Sequence, residues 1–343
     1  MKNISLKRLP ALAGILLFTA VNGVCAAETK IEGILFANYG LYTSQYKTTN
    51  APAYDYNTFD VGRIYIAASS RYSPNITSKI VLEANSLTAG NAVFLKNAFL
   101  QWKNNTGSLT VEGGMPGTLC IGAEEAVWKY RFVEKVQTDL EGVLKSADKG
   151  VKVIYKLPKD YGTAEAMLTN GEGFNALETA DYRNKGTKDG QLRLALTPFK
   201  SFKELSVSGQ YLGTVGLARV RERFVGGAAY QGKKFSLGVS MFRSVDFSTI
   251  SASGASTGKT GYSVYGNLPL TESLSFFSRL DVVDNSQLVS KNYDKKTLLL
   301  AGVAYELAKD VKVALTERRS TQGQATARRR DQNIVSLDLM AKF

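Results

Sequence analysis

The chain has 343 residues, with 43 lysines and arginines against 30 aspartates and glutamates, two cysteines and no histidine. The missing histidines remove the commonest general base and the commonest zinc ligand, and two cysteines are too few for a thiolate metal site. We therefore predict no enzymatic activity, no metal and no cofactor. A net charge of +13 would suit a nucleic-acid-binding protein. Where the basic residues lie along the chain therefore determines whether they indicate nucleic-acid binding.

The first 27 residues have the pattern of a cleaved secretory signal peptide. Lys2, Lys7 and Arg8 precede an apolar run at 9–21, and small residues follow at 25–27. Cleavage after residue 26 or 27 fits best, and a lipoprotein cleavage before Cys25 is the alternative. The remaining chain carries a net charge of +10, one cysteine and no apolar run of 18 residues that could cross a membrane as a helix. Export argues against nucleic acid as a partner.

Alternation of apolar and polar residues dominates the chain after the signal peptide. In the last strand, Val335, Leu337, Leu339 and Phe343 share one parity, and polar residues occupy much of the other. Segments of about ten residues with this pattern suit tilted strands that cross a bilayer. The pattern predicts sixteen strands, give or take two, near 30–42, 58–72, 76–86, 93–103, 108–115, 149–157, 163–170, 189–197, 205–213, 217–231, 235–244, 260–268, 273–284, 296–307, 311–319 and 331–343.

The links between these strands alternate in length. Short links of a few residues, such as 73–75 and 232–234, interleave with mostly longer polar links, such as 116–148 and 171–188. Tight turns on one side and long loops on the other are typical of outer-membrane barrels. Because unpaired strand edges are costly in lipid, the strands must close. We predict an all-β fold in which residues 28–343 form one closed transmembrane antiparallel β-barrel with a water-filled interior.

The charge of the predicted lumen is mainly positive. When the apolar parity of each strand is assigned to lipid, 13 basic and 5 acidic residues point inward. An interior lined with one sign of charge concentrates counter-ions, which here are anions. The inward bases are Arg63, Lys79, Lys152, Lys156, Arg193, Arg219, Arg221, Arg223, Arg279, Lys312, Arg318, Arg328 and Arg330, and the inward acids are Glu83, Glu112, Glu165, Asp281 and Asp338.

Two arginine clusters stand out among the inward bases. Arg219, Arg221 and Arg223 fall on one face of a strand, so they could pass an anion along by successive bidentate contacts, or they could form a solvated rim. A second cluster, with Arg318, Arg328 and Arg330 inward, flanks the last long loop, and there a rim role is favoured over anion binding. The predicted pore-lining, anion-binding set is Arg219, Arg221, Arg223, Arg193, Lys152, Lys156, Arg63, Arg279, Arg318 and Arg330.

The longest link, at 116–148, is the candidate constriction loop. It has no glycine or proline from 124 to 140, and this mixed-charge aromatic stretch predicts a short helix. A loop of this length in a compact barrel is usually functional or mobile. It either folds into the lumen and narrows it or caps the barrel outside. If it enters the lumen, three bases oppose three acids: Lys129, Arg131 and Lys135 against Glu124, Glu125 and Glu134.

Several short motifs resemble the phosphate-selective porin O and P family in their order and spacing. They lie at 59–66 (FDVGRIYI), 97–102 (NAFLQW), 112–116 (EGGMP), 128–131 (WKYR), 146–151 (SADKGV) and 170–173 (NGEG). The resemblance implies a trimeric sixteen-strand outer-membrane channel, an inward-folded third loop, and arginines and lysines that guide phosphate or polyphosphate. An arginine ladder of this kind would suit Arg219, Arg221 and Arg223. Related members resemble general or organic-solute porins, so the solute stays open.

Together these patterns predict a porin in the outer membrane of a Gram-negative bacterium. It would let small hydrophilic solutes diffuse passively, with a preference for anions, while Phe343 would serve as the membrane-insertion signal. The expected partners are small solutes, outer-membrane lipid and lipopolysaccharide, the barrel assembly machinery and two further copies of the chain. The alternative is a structural or adhesive barrel with a plugged lumen.

Overall fold

A computed structural model describes residues 28–46, 54–87, 90–171, 173–174, 188–215, 219–248, 256–287, 293–323 and 329–343. The predicted signal peptide and Arg328 lie outside these residues. The backbones of Arg219 and Arg330 are described, whereas their side chains are not. No helix in the described ranges is long and apolar enough to cross a membrane.

The sixteen predicted strands are confirmed, and they form one closed antiparallel barrel in which each strand pairs with its neighbours in sequence and β1 pairs with β16. The first eight strands are β1 Glu28–Tyr46, β2 Tyr54–Arg71, β3 Ile76–Leu87, β4 Gly90–Lys103, β5 Leu109–Met115, β6 Gly150–Lys156, β7 Gly162–Thr169 and β8 Lys188–Leu196. The others are β9 Leu205–Val215, β10 Arg219–Gln231, β11 Ser236–Ser248, β12 Ser256–Pro269, β13 Leu274–Gln287, β14 Tyr293–Ala308, β15 Val311–Gly323 and β16 Arg329–Lys342.

The first and last strands meet where the barrel closes, and reciprocal backbone hydrogen bonds join the C-terminal residue to β1. The amide of Gly33 donates to the carbonyl of Phe343 at 2.6 Å, and the amide of Phe343 donates back at 3.0 Å. A side chain at position 33 would overlap the Phe343 ring, because a Cβ there would lie 2.2 Å from ring carbons. The glycine therefore lets the terminal aromatic ring lie across β1, where the ring stays 76% exposed on the barrel surface.

The outer surface carries the apolar parity of the strands. Leu192, Leu237, Val264 and Leu315 are exposed there, as expected for side chains that face lipid. Exposed aromatic residues gather near the short turns, and a second group lies toward the long-loop end; such pairs of aromatic girdles mark the two membrane interfaces. The first group includes Tyr72, Trp102, Tyr155, Tyr161, Phe199, Phe235 and Tyr305, and the second includes Tyr56, Phe59, Tyr211 and Phe224.

The long link between β5 and β6 runs inside the barrel. It contains two helices, α1 Ile121–Trp128 and α2 Gln137–Leu140. The predicted helical stretch is thus interrupted, because Lys129 adopts a left-handed conformation (φ 65°) that ends α1. A hydrophobic core forms between the loop and inward-facing wall residues such as Phe242, Phe277 and Leu300.

Candidate functional site

The lumen loop, residues 116–148, has an apolar edge and a charged edge. Trp128 is fully buried, and its ring packs edge-on against Tyr265 and Phe277 with centroid distances of 6.1 and 5.9 Å. Tyr130 stacks on Phe277 at 4.0 Å, and Phe132 reaches Phe36 of β1 at 6.4 Å. Burial of each large apolar side chain contributes about 1.5–3 kcal/mol, so this edge fixes the loop to the wall. We call the lumen faces of β9–β16 and β1 the packed side.

Wall arginines on the packed side hold the loop by its backbone carbonyls. Arg279 donates to the carbonyl of Lys135, and its guanidinium also binds Asp281 at 2.5 Å. Arg318 donates to the carbonyl of Val133 at 2.7 Å and pairs with Glu134 at 3.3 Å. These predicted anion-binding arginines therefore use donors to position the loop.

Two members of the predicted Arg219–Arg221–Arg223 ladder, Arg221 and Arg223, have protein partners for their guanidinium groups. Arg221 donates to Asp189 at 3.1 Å, to the carbonyl of Gly171 at 2.7 Å and to Thr214 at 3.3 Å. Arg223 binds Asp246 at 2.6 Å and the carbonyls of Val143 and Val245 at 3.2 and 2.9 Å. The donors of these two arginines therefore have partners within the protein, and anion binding by the ladder stays a prediction.

The lumen faces of β2–β8, which we call the ion-lined side, carry paired charges. Three carboxylates of the predicted inward set pair with wall bases there. The pairs are Glu83 with Arg63 at 3.0 Å, Glu112 with Lys152 at 2.6 Å, and Glu165 with Arg193 at 2.8 Å. Lys156 lies at the turn end of β6, where its side chain is exposed.

The charged edge of the lumen loop faces β2–β4. Arg131 pairs with Glu125 at 2.5 Å and with Asp139 at 3.4 Å, and Lys135 lies 3.9 Å from Asp139. Arg63 and Glu83 act electrostatically on Lys135, and Lys96 acts on Glu125. The charged edge of the loop and the wall charges of β2–β4 therefore lie within electrostatic range of each other.

Burial changes the acidity of three groups in the lumen loop. Desolvation raises the pKa of Glu125, although Arg131 opposes the change. Desolvation also lowers the pKa of Lys135, and the neighbouring Arg63 and Arg131 act in the same direction. The pKa of Glu124 is raised by burial too; this carboxylate accepts a hydrogen bond from Thr138 on the apolar edge of the loop. Glu124 and Glu125 are consecutive and still differ in surroundings.

The remaining predicted loop residues also divide between the two edges. Lys129 donates to Ser236 at 3.2 Å, near a short turn, which places it on the packed side. Glu134 lies on the same side through Arg318. Among the described residues, no three acidic or cysteine side chains come close enough together to hold a metal ion.

Sequence parity missed several charged groups that the structure brings into the lumen. Lys96 is the extra residue of a β-bulge, since Val81 pairs with Asn97 and Leu82 pairs with Leu95. The bulge directs Lys96 inward, where its ammonium binds Glu83 at 2.7 Å. Carboxylates at 189 and 246 and bases at 259 and 296 were also missed. Several lumen bases are paired with carboxylates outside the predicted acidic set: Arg221 with Asp189, Arg223 with Asp246, and Lys296 with Glu141 of the loop.

The packed side was also missed, although the sequence contains a signal for it. Strand β14 has three consecutive leucines at 298–300, so it is apolar on both faces. A strand that contacts lipid on one side and water on the other does not need this pattern. Leu299 is exposed on the outside, whereas Leu298 and Leu300 are buried within the barrel.

No protein-family model and no curated protein sequence matches the chain. Solved structures match in fold. An anion-selective porin from Comamonas acidovorans is 14% identical with a TM-score of 0.65, covering 92% of this chain and 100% of that one. The outer-membrane channel DcaP of Acinetobacter baumannii is 11% identical with a TM-score of 0.65, covering 92% and 97%. OmpT of Vibrio cholerae, an outer-membrane protein, is 14% identical in its trimer form with a TM-score of 0.61, covering 93% and 100%.

At these identities the likeness establishes the fold. Three proteins of that architecture are described as a porin, a channel and an outer-membrane protein. The specific resemblance to phosphate-selective porins stays a prediction, as no family model supports it. The chain therefore has the sixteen-strand barrel fold of outer-membrane porins, with a loop packed inside it.

Proposed function

We propose that the protein is an outer-membrane porin through which small hydrophilic solutes diffuse passively. The observation that carries the proposal is the division of the lumen. The loop fills the packed side and leaves its charged edge opposite the ion-lined side. Water and ions are favoured next to such charges, so a passage on this side suits polar solutes.

The passage has a modest preference for anions. Two wall bases, Arg63 and Lys96, share the single carboxylate of Glu83. On the loop, Arg131 and Lys135 are balanced by Glu125 and Asp139. The wall therefore contributes one surplus positive charge where the two sets face each other. The anion-selective porin of similar fold supports this direction.

Location and assembly complete the proposal. The apolar outer surface and the aromatic girdles suit the outer membrane of a Gram-negative bacterium, reached through a cleaved signal peptide at 1–27. Phe343 would be recognised by the barrel assembly machinery, and the outer surface would contact lipid and lipopolysaccharide. A homotrimer is supported by the trimer form of the Vibrio cholerae protein. The absence of histidine from the sequence argues against the hydrolytic chemistry that needs a histidine.

Conductance tests the channel directly. The purified protein, added to planar bilayers in KCl, should give stable current steps. Under a KCl gradient, the reversal potential should have the sign for chloride passing faster than potassium. Cation selectivity would reject the anion preference and leave the channel intact. Whether phosphate is a solute is tested by adding millimolar phosphate, which should reduce the chloride current if it binds in the passage.

A barrel with a plugged lumen is the second candidate, and the packed side favours it. The loop is held by aromatic packing and by arginines along its length, so it could close the barrel to solutes. A folded protein that inserts in bilayers and passes no current would support this structural or adhesive role.

A further inference from the structure

Ion pairs in the lumen are of two kinds. Among the described residues, Glu112 and Glu165 each have one basic partner, Lys152 and Arg193 respectively, and the two carboxylate side chains are 7% and 10% exposed. Glu83 is 2% exposed and has two, Arg63 at 3.0 Å and Lys96 at 2.7 Å. The difference decides which base can leave its carboxylate.

Removing the single partner of a buried carboxylate leaves an uncompensated charge, which is strongly unfavourable. Lys152 and Arg193 are therefore held in place. Lys96 is different because Arg63 and the amide of Asn85, which donates to Glu83 at 3.0 Å, remain when its ammonium moves away. Lysine also has a flexible stem and rotatable donors, whereas arginine holds a fixed fork.

The surroundings of Lys96 suit a cation that exchanges partners. Its ammonium lies 4.8 Å from the ring centre of Tyr65 and 5.0 Å from that of Phe174, and it donates to the Tyr65 hydroxyl at 3.2 Å. Aromatic faces stabilise an ammonium by about 0.5–1 kcal/mol at exposed sites without neutralising it. The two rings therefore leave the positive charge of Lys96 in place.

A second shared carboxylate lies elsewhere. Glu141 pairs with Lys296 at 2.6 Å and lies 4.0 Å from Lys259. These lysines belong to β14 and β12 on the packed side, away from the space between the charged edge and β2–β4. On the loop, Asp139 is also shared, by Arg131 and Lys135, but Arg131 has Glu125 as a further partner, so the loop pairs leave no base in surplus. Among the described wall residues, Glu83 with Arg63 and Lys96 is the shared carboxylate that faces the charged edge.

We propose that Lys96 determines the selectivity of the passage: a permeating inorganic anion takes the place of Glu83 as its partner, while Arg63 keeps Glu83 paired. The inference rests on the proposed channel function. It assigns the anion preference to Lys96, which the alternating pattern did not place in the lumen. It assigns pairing to Arg221 and loop positioning to Arg223.

The experiment compares variants that change the lumen by the same charge. Lys96→Gln and Lys152→Gln each remove one positive charge from the lumen wall. We expect Lys96→Gln to lower the chloride-to-potassium permeability ratio about threefold, as for the loss of one charge about 5 Å from a permeating ion in water. Lys152→Gln should change the ratio by less than about 1.5-fold, because Lys152 lies on β6, outside the face of β2–β4 that the charged edge opposes. Lys96→Arg, which keeps the charge, should retain the wild-type ratio.

Glu83→Gln supplies a change in the opposite direction. It frees both Arg63 and Lys96, so the permeability ratio should rise above that of the wild type. Folding of every variant is checked by circular dichroism and by the size of its current steps. Equal shifts in Lys96→Gln and Lys152→Gln, or a fall in Glu83→Gln, would overturn the role of Lys96 while leaving a working channel. Absence of current in the folded wild-type protein would instead overturn the channel itself, and with it this inference.

Discussion

Across the lumen, β2–β8 present carboxylates paired with lysine or arginine, whereas β9–β16 and β1 present rings and leucines that pack on the loop. Both sides are inward faces of one alternating barrel. On the packed side, arginines such as Arg223 and Arg279 donate to loop carbonyls. On the ion-lined side, the shared carboxylate of Glu83 leaves one base in surplus. Basic side chains therefore position the loop on the packed side, whereas on the ion-lined side they pair with carboxylates of the wall.

Trp128→Ala is expected to have the largest effect, because it removes the centre of the packed side. The ring is fully buried among Tyr130, Tyr265 and Phe277. Loss of a buried tryptophan costs about 3–5 kcal/mol, so the loop should leave the wall in part of the molecules. Single-channel currents should become larger and noisier. The matched control is Trp102→Ala, since Trp102 lies 43% exposed on the outer surface; identical currents in both variants would contradict a packed loop.

Arg223→Ala tests whether this arginine positions the loop or binds solute. The variant loses the bond to the carbonyl of Val143 and the ion pair with Asp246, at a cost of about 1–3 kcal/mol. We expect more open-channel noise with little change in reversal potential. A large shift in reversal potential would restore Arg223 to the anion pathway. Arg243→Ala, at an exposed position on the neighbouring β11, controls for the loss of charge.

The pH dependence of selectivity is the smallest of these effects and concerns the charged edge. Burial raises the pKa of Glu125, so acidification below pH 7 removes its negative charge earlier than for an ordinary glutamate. Burial lowers the pKa of Lys135, so its positive charge is lost earlier as the pH rises above 7. Both changes lower the anion preference as the pH rises. We expect the chloride-to-potassium permeability ratio to fall by about twofold between pH 5 and 9.

Reversal potentials measured between pH 5 and 9 check this trend. Glu125→Gln should abolish the acid part of the response, while Glu134→Gln, on the packed side, should leave it unchanged. A preference that rises with pH would show that the charged edge does not border the passage.

Much of the fold could be predicted because strands in lipid obey a strict local rule. Every second side chain must face lipid, and every backbone group must pair, so alternation and link lengths were enough for sixteen strands and closure. The interior of the long loop could not be predicted in the same way. Its partners, such as Phe277 and Arg318, are more than 140 residues away in the chain, and no local period records such contacts.

Local sequence patterns have the same limit for single residues of the candidate site. Arg63, Lys152 and Arg193 were placed in the lumen by parity, and the structure adds their carboxylate partners. Lys96 was not placed there, because one extra residue in β4 changes the parity and leaves no mark in composition. The three leucines at 298–300 did carry a signal, since a strand apolar on both faces needs a partner inside the barrel.

The barrel could be predicted from alternation alone, because the lipid phase imposes a period of two and closure on any strand that crosses it. The presence of positive charge in the lumen could be predicted in the same way. Which of these charges are neutralised by a partner could be seen only in three dimensions, because neutralisation depends on distance in space. Glu83 lies between Arg63 and Lys96 through one bulge and two strand pairings, and electrostatic energy falls with that distance and not with separation along the chain.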